Sequence, residues 1–446
     1  MSEFVSSQPS PVNPTCGADV LVRARPPGRA SAGTVKFQAG RHARYSLAFG
    51  LLFAAEPIRL VSPLAAFWTT PCILFASVLI AWGAESAQFF VAQGFALAIL
   101  AWLQTLPEFA VEAVLAWHQE SKLLLANLTG ALRLLVGFAW PVIYATAAIS
   151  HRRRTGSPLK RIELHPAHSV EVVGLILPIA YALLIWYKGS LHIYDGVVLV
   201  VIYAVYLFLL TKLPPEEREA IDDLERIPRA IAKAPRARRV FAISLCFVLG
   251  GVLIYFTANP FVGSLISLAT AVGISTFIAV QWLAPVVSEF PELASTFYFA
   301  RQEEKAPMAL MNIVSSNINQ WTLLVAMLPV VFSIGAGTIS AISFDAEQES
   351  ELLLTIAQSL VALVFLLNMK FEWWEATILL LLYLAQVIFA NTGARGTQLA
   401  YLSHHVRLWV TYTYIGWAAL SLMWTLSRDR VPPAFRRFRE TSREHF

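Results

Sequence analysis

Ser288-Glu289-Phe290-Pro291-Glu292-Leu293-Ala294 places two carboxylates and a proline inside a long apolar run. A related stretch lies earlier, Gln104-Thr105-Leu106-Pro107-Glu108-Phe109-Ala110. Each continues as apolar helix to a short polar break, His118-Gln119-Glu120-Ser121-Lys122 in the first and Arg301-Gln302-Glu303-Glu304-Lys305 in the second. Each then re-enters an apolar run with an asparagine near its start: Asn127 in Ala126-Asn127-Leu128-Thr129-Gly130, and Asn312 in Met311-Asn312-Ile313-Val314-Ser315. The interval from Glu108 to Asn127 is one residue shorter than that from Glu292 to Asn312. Pro-Glu, helix, hairpin and Asn, occurring twice, form an internal repeat.

Around the repeat, the 446-residue chain is 57% hydrophobic and only 14% charged. Its mean hydropathy is +0.59. A soluble domain is closer to half apolar and a quarter charged. Long runs free of charge therefore predict an all-α polytopic membrane protein. The net charge of +5 is not a nucleic-acid signal, because the basic residues cluster in loops and tails, as membrane orientation requires. Cys16, Cys72 and Cys246 show neither pairing nor metal spacing. No cofactor motif is present, and the implied partners are the lipid bilayer and inorganic cations. Oligomeric state has no signature in the sequence.

Residues 1–45 are rich in Pro, Ser, Gly and Arg and predict a disordered tail without a signal peptide. The segment 46–62 predicts an interfacial or marginal helix. Predicted spans follow at 64–83, 94–117, 123–149, 170–187 and 194–211, making a first half at 46–211. A charged linker, 212–239, separates it from a second half at 240–390, with spans at 240–258, 262–299, 308–334, 352–368 and 373–390. The acidic loop from Asp345 to Glu351 precedes the ninth span. Residues 391–446 supply an extra span at 406–426 and a basic tail.

Lysine and arginine concentrate in the loops after spans three, five, seven and nine and in the C-terminal tail, which predicts a cytoplasmic C-terminus. Compact loops and the lack of a targeting peptide suit a bacterial inner membrane. Five spans per half is an odd number, so the halves run in opposite directions across the membrane. The predicted architecture is two inverted five-helix repeats plus an extra C-terminal transmembrane helix. That is a secondary-transporter plan, with its site near the midplane.

The repeat also carries chemistry. Proline within a membrane helix kinks it and frees a carbonyl, tolerated at depth only where it is buried in protein or lines a cavity. Adjacent glutamates add carboxylates, and oxygen ligands suit hard cations. A charged side chain at mid-membrane costs about 2.5–3.5 kcal/mol even on the lenient insertion scale, so such residues are usually functional. Glu108 and Glu292 are the first candidates for holding a metal cation.

These residues resemble the α-repeats of the calcium/cation antiporter superfamily, the sodium/calcium exchangers. The family pattern is Gly-Thr-Ser-x-Pro-Glu, a hairpin, then Gly-Asn-x-x-Gly-Ser-Asn-Ile and an Asn or Asp. Met311-Asn312-Ile313-Val314-Ser315-Ser316-Asn317-Ile318 follows it well, and Ala126-Asn127-Leu128-Thr129-Gly130-Ala131 less closely. The resemblance implies an antiporter, not an enzyme, working by alternating access. It maps cation ligation onto Glu108, Glu292, Thr105, Ser288, Asn127, Asn312 and Ser316. Departures are Gln104 for Thr, Glu289 and Ala131 for Ser, Leu132 for Asn, Arg133 for Ile, and Leu135 and Gln320 for the final Asn or Asp. Glu289 adds a carboxylate, and Gln320 and Asn317 stand in the second Asn-bearing span.

Arg133 adds a fixed cation in mid-span and needs carboxylate partners. Glu108, and Glu112 one turn further on, are the candidates. Arg133 either fills one cation position permanently or forms a structural ion pair with Glu112. Glu289 and Glu292, three apart on a helix, would repel if both were ionised, which suits proton coupling. The eroded positions favour exchange of Na⁺ or another cation against H⁺. The alternatives are Na⁺/Ca²⁺ or H⁺/Ca²⁺ exchange, and a transport-dead scaffold or sensor locked by Arg133.

Overall fold

The computed structural model describes residues 61–87, 105–212, 221, 224–390, 398–428 and 431–445. The tail at 1–45, nearly all of 46–62, the start of the second span, Gln104 and part of the linker lie outside the described residues. Helix α1 (Ala66–Ala87) follows a 3₁₀ turn capped by Ser62. Next come α2 (Leu106–Trp117), α3 (Ser121–Leu134), a π turn (Leu135–Ala139) and α4 (Trp140–Thr155). Strand β1 (Arg161–Glu163), helices α5 (Ser169–Gly174) and α6 (Ile176–Lys188), strand β2 (Ser190–Leu191) and α7 (Ile193–Lys212) complete the first half.

The linker contains helix α8 (Arg226–Lys233), whose Pro228 carbonyl accepts from Ser86 at the end of α1. The second half runs through α9 (Arg236–Ala271), α10 (Thr276–Ser288), α11 (Phe290–Ala300), α12 (Ala306–Asn319), a second π turn (Gln320–Leu324) and α13 (Val325–Ala336). It continues with β3 (Ile342–Ser343), α14 (Ala346–Leu366), β4 (Lys370–Glu372), α15 (Trp373–Ala390), α16 (Gln398–Arg428) and α17 (Pro433–His445).

Among the described residues, seven helical stretches are long and apolar enough to cross a membrane: Pro63–Ala87, Ser121–Thr155, Pro166–Lys188, Ile193–Lys212, Arg236–Ala271, Glu303–Ala336 and Ala346–Leu366. The expected seventh span is instead two shorter helices, α10 and α11. The 31-residue α16 is long enough to cross but carries Arg407 and two histidines.

The expected break between residues 258 and 262 is absent. Pro260 lies inside α9, which continues for 36 residues, about 54 Å at 1.5 Å per residue. The chain turns at Gly273, whose φ of +72° suits glycine and disfavours other residues. A proline bends a helix without ending it when neighbours support the freed carbonyl, and here α1 packs along α9, with Thr69 and Ser264 hydroxyls 2.9 Å apart.

Cross-half contacts sort the loops onto two faces. On an arginine-rich face, β1 pairs antiparallel with β4, Arg154 meets Glu303 at 2.8 Å, and Ser150 donates to the Arg301 carbonyl. The tail reaches this face too: it forms α17, and Ala434 N–H donates to Leu367 O at 3.0 Å, capping the end of α14. On the opposite face β2 pairs with β3, Gln119 donates to Phe332 O at 2.7 Å, and Lys122 meets Asp345 at 3.1 Å. The loops after spans three, seven and nine thus share a face, as their arginines and lysines predict, and those after spans two, four and eight share the other.

Asp345 closes a capping box on α14: it accepts from Gln348 N–H, and Gln348 Oε1 accepts from Asp345 N–H. Burial pushes its carboxyl up, but the Gln348 N–H and the Lys122 ammonium outweigh that and hold it below the usual aspartate range. Replacing Asp345 with Ala should cost about 1 kcal/mol, read as a lower unfolding temperature in detergent. Because the folded value is depressed, this contribution is full above the ordinary aspartate pKa and is lost as pH falls through the folded one. The difference between variant and wild type should therefore vanish in strong acid.

Candidate cation site

Both Pro-Glu motifs begin a helix. Pro107 and Pro291 sit in the first turn of α2 and α11, where a missing N–H costs nothing. Glu108 and Glu292 fall in that same turn, where the helix dipole favours an anion. In the second half the break comes at Glu289, two residues before the proline, with φ −85° and ψ −7°. The break leaves Glu289 as the residue between α10 and α11, facing Glu108 from the other half.

The carboxyls of Glu108, Glu289 and Glu292 are all buried. Glu289 precedes Glu292 by three residues and is tied to Glu108 through Gln320, so the three form a row. Gln320, the first residue of the second π turn, bridges two of them: its Nε2 donates to Glu108 Oε2 at 2.9 Å and to Glu289 Oε1 at 2.8 Å. Ser316 donates to Glu292 Oε2 at 2.8 Å. Thr105 accepts from Asn319 Nδ2 at 2.9 Å, a link across the halves that involves a residue the sequence did not single out. Ser288 reaches only its own helix, at Pro285 O, 3.4 Å away.

One turn along each Pro-Glu helix lies a second rung. In the first half Asn127 donates to Glu112 Oε1 at 2.9 Å, and both side chains are fully buried. In the second half Asn312 donates to Thr296 at 3.4 Å. Asn312 is exposed and stands one rung away from the carboxylate row, so it does not reach the row it was expected to join. Asn317 donates to Ile313 O on its own helix. Among the described residues, Glu112 Oε2 and the amide oxygens of Asn127, Asn317, Asn319 and Gln320 are buried without a hydrogen-bond donor. Every such atom here is a hard oxygen, the ligand type that Na⁺ or Ca²⁺ takes.

Arg133 does not join this set. Its Nη2 lies 2.8 Å from Glu351, not beside Glu108, and Glu112 is held by Asn127 instead. In an α-helix side chains lean toward the N-terminus, and Arg133 turns back to donate to Thr129 O at 3.0 Å. That carries the guanidinium away from the row. Glu351 is correspondingly no loop residue: it is buried in the second turn of α14. Neither the filled cation position nor the pair with Glu112 is present, and the basis for a site locked by Arg133 goes with them. Glutamines inside apolar helices, Gln281, Gln358 and Gln386, were the unused sign of this second polar region.

The sequence profile of the family described as "Sodium/calcium exchanger protein" matches residues 61–212 and 243–391. The chain belongs to that family. Family members are cation exchangers and not enzymes, and the chain is a polytopic helical membrane protein of the cation antiporter type. It is similar to the crystal structure of an H⁺/Ca²⁺ exchanger, CAX, with 32% identity and a TM-score of 0.75 over 89% of this chain and 93% of that one. It also matches the sodium-calcium exchanger NCX_Mj soaked with Na⁺ and Sr²⁺, at 21% identity and a TM-score of 0.49 over 74% of this chain and 98% of that one. No curated protein sequence matches.

Gln320 is the shared donor of the row. Gln320→Leu should keep the volume but leave two buried carboxyls without their amide partner. A loss of about 1–3 kcal/mol is expected, measured as a reduced melting temperature. Asn312→Ala, outside the row, should shift it far less.

Proposed function

We propose that this exchanger carries Ca²⁺ against H⁺, with Glu108, Glu289 and Glu292 as the shared ligands. The observation that carries the reading is the Gln320 amide, whose nitrogen donates both to Glu108 in the first half and to Glu289, three residues before Glu292, in the second. Carboxyls crowded together away from water repel one another unless protons or a cation neutralise them. In this reading protons neutralise the row when no cation is bound. A cation entering the row would displace those protons, and leaving would let them return. That is exchange at one set of oxygens, with the unpartnered Asn127, Asn317, Asn319 and Gln320 oxygens nearby as further ligands.

Three carboxylates suit a divalent ion better than a monovalent one, because they carry more negative charge than a single Na⁺ offsets. The likeness to an H⁺/Ca²⁺ exchanger points the same way. Calcium thus replaces the sodium-for-proton exchange expected from the eroded positions as the favoured cargo. The positive-inside rule assigns the arginine-rich face, and with it the C-terminus, to the cytoplasm.

The purified protein in vesicles with an internal pH dye tests this. Ca²⁺ added outside should drive protons out, Na⁺ and K⁺ should not, and Glu292→Gln should abolish the response. Proton movement driven by Na⁺ alone would overturn the calcium assignment. Glu289→Gln should retain Ca²⁺ binding but lower the number of protons moved per Ca²⁺.

A further inference from the structure

Glu351 is the centre of a second buried polar network that the exchange chemistry does not use. It is ion-paired with Arg133 Nη2 on α3 at 2.8 Å, and it accepts from Arg407 Nη1 on α16 at 2.7 Å and from Gln281 Nε2 on α10 at 3.0 Å. Arg133 is held on its other edges, with Nη1 donating to Gln386 Oε1 at 3.3 Å and its guanidinium 5.0 Å from the ring of Trp282. Gln386 donates to Gln358 Oε1 and to the Tyr414 hydroxyl, each at 3.0 Å. Gln358 closes the ring by donating to the Arg133 carbonyl at 3.0 Å.

The charges divide the network unequally. Arg133, Glu351 and Arg407 join α3, α14 and α16 by ion pairs, whereas α10 is attached only through the neutral Gln281 amide and the face of Trp282. Separating Arg133 from Glu351 away from water would strand a charge, so that pair stays together in any working conformation. Releasing Gln281 strands no charge, because Glu351 keeps two arginines. The helix free to part from this frame is therefore α10, which ends at Glu289.

The seam it would open is tight. A Cβ on Gly130 would fall 1.9 Å from the Gln281 carbonyl oxygen, so the backbones of α3 and α10 touch beside the network. Gln281, Glu351 and Arg407 each lie within the first three turns of their helices. The starts of α3 and α14 meet on the opposite face through Lys122 and Asp345. On that side both members of the Asn127 rung are fully buried, while in the other rung, nearer the arginine-rich face, Asn312 is exposed and Thr296 is buried.

We propose that Gln281 is a positioning residue. Bound to Glu351, it clasps α10 against α3 and seals the carboxylate row from the opposite face; released, it lets α10 move and opens that approach. The extra helix α16 is part of the device, because Arg407 holds the socket charged and in place. The proposal does not depend on which cation is carried.

The test uses the full chain with Cys16, Cys72 and Cys246 replaced by Ser and one reporter, Ala126→Cys, one turn before Gly130 and fully buried. A membrane-impermeant maleimide is applied from each face in right-side-out and inside-out vesicles. Gln281→Leu, which keeps bulk but not the donor, should speed labelling about fivefold from the opposite face only. Gln281→Arg, which offers Glu351 a charged donor, should slow it. Equal rates in wild type and Gln281→Leu would overturn the clasp. Faster labelling from both faces together would also overturn it, since general loosening has no side.

Discussion

A carboxylate placed in a membrane must be given a proton, a cation or a set of donors, and the whole interior follows from how that demand is met. Three buried glutamates share one row with an amide and a hydroxyl, and among the described residues no arginine or lysine is paired with it. A permanent counter-charge would satisfy the row and end its use. By leaving the neutralising charge to come from outside, the protein keeps the site responsive to what it carries. The fixed cation that the chain does bury, Arg133, is sent to a different glutamate.

Two kinds of polar burial therefore coexist within the same helices. The row is held by neutral donors and, in the proposed exchange, changes partners, while the Arg133–Glu351–Arg407 set is ion-paired. Their separation along α3 is short: Asn127 faces Glu112, and Arg133 faces away toward α14. A moving site beside a rigid frame is what alternating exposure of one set of ligands requires.

The fold class and the pairing of loops by face were legible in the sequence because they rest on hydropathy and the placement of arginine and lysine. The two π turns begin at Leu135 and Gln320, the positions matched to each other by the repeat. What the sequence did not disclose depends on side-chain direction and long-range contact. Arg133 was assigned to the nearest glutamates in the repeat, but its long side chain runs back along its own helix. Glu351 sits at the edge of an apolar run, where composition alone reads it as loop. The expected break between residues 258 and 262 is missing because a helix packed along its length absorbs Pro260, and the turn falls to Gly273. Asn319, one residue from Gln320, was hidden because only the folded chain brings Thr105 to it.

The two short strand pairs have a bearing on how the protein is made. β1 and β2 belong to the first half, and their hydrogen-bonding partners, β4 and β3, are synthesised only after the linker and most of the second half. When the first half leaves the ribosome, its strands β1 and β2 have not yet met their partners at either membrane surface, and Asn319, which donates to Thr105, is still to be made. A nascent first half is thus inserted but unfinished, and its maturation waits on the arrival of a complementary half rather than on its own packing.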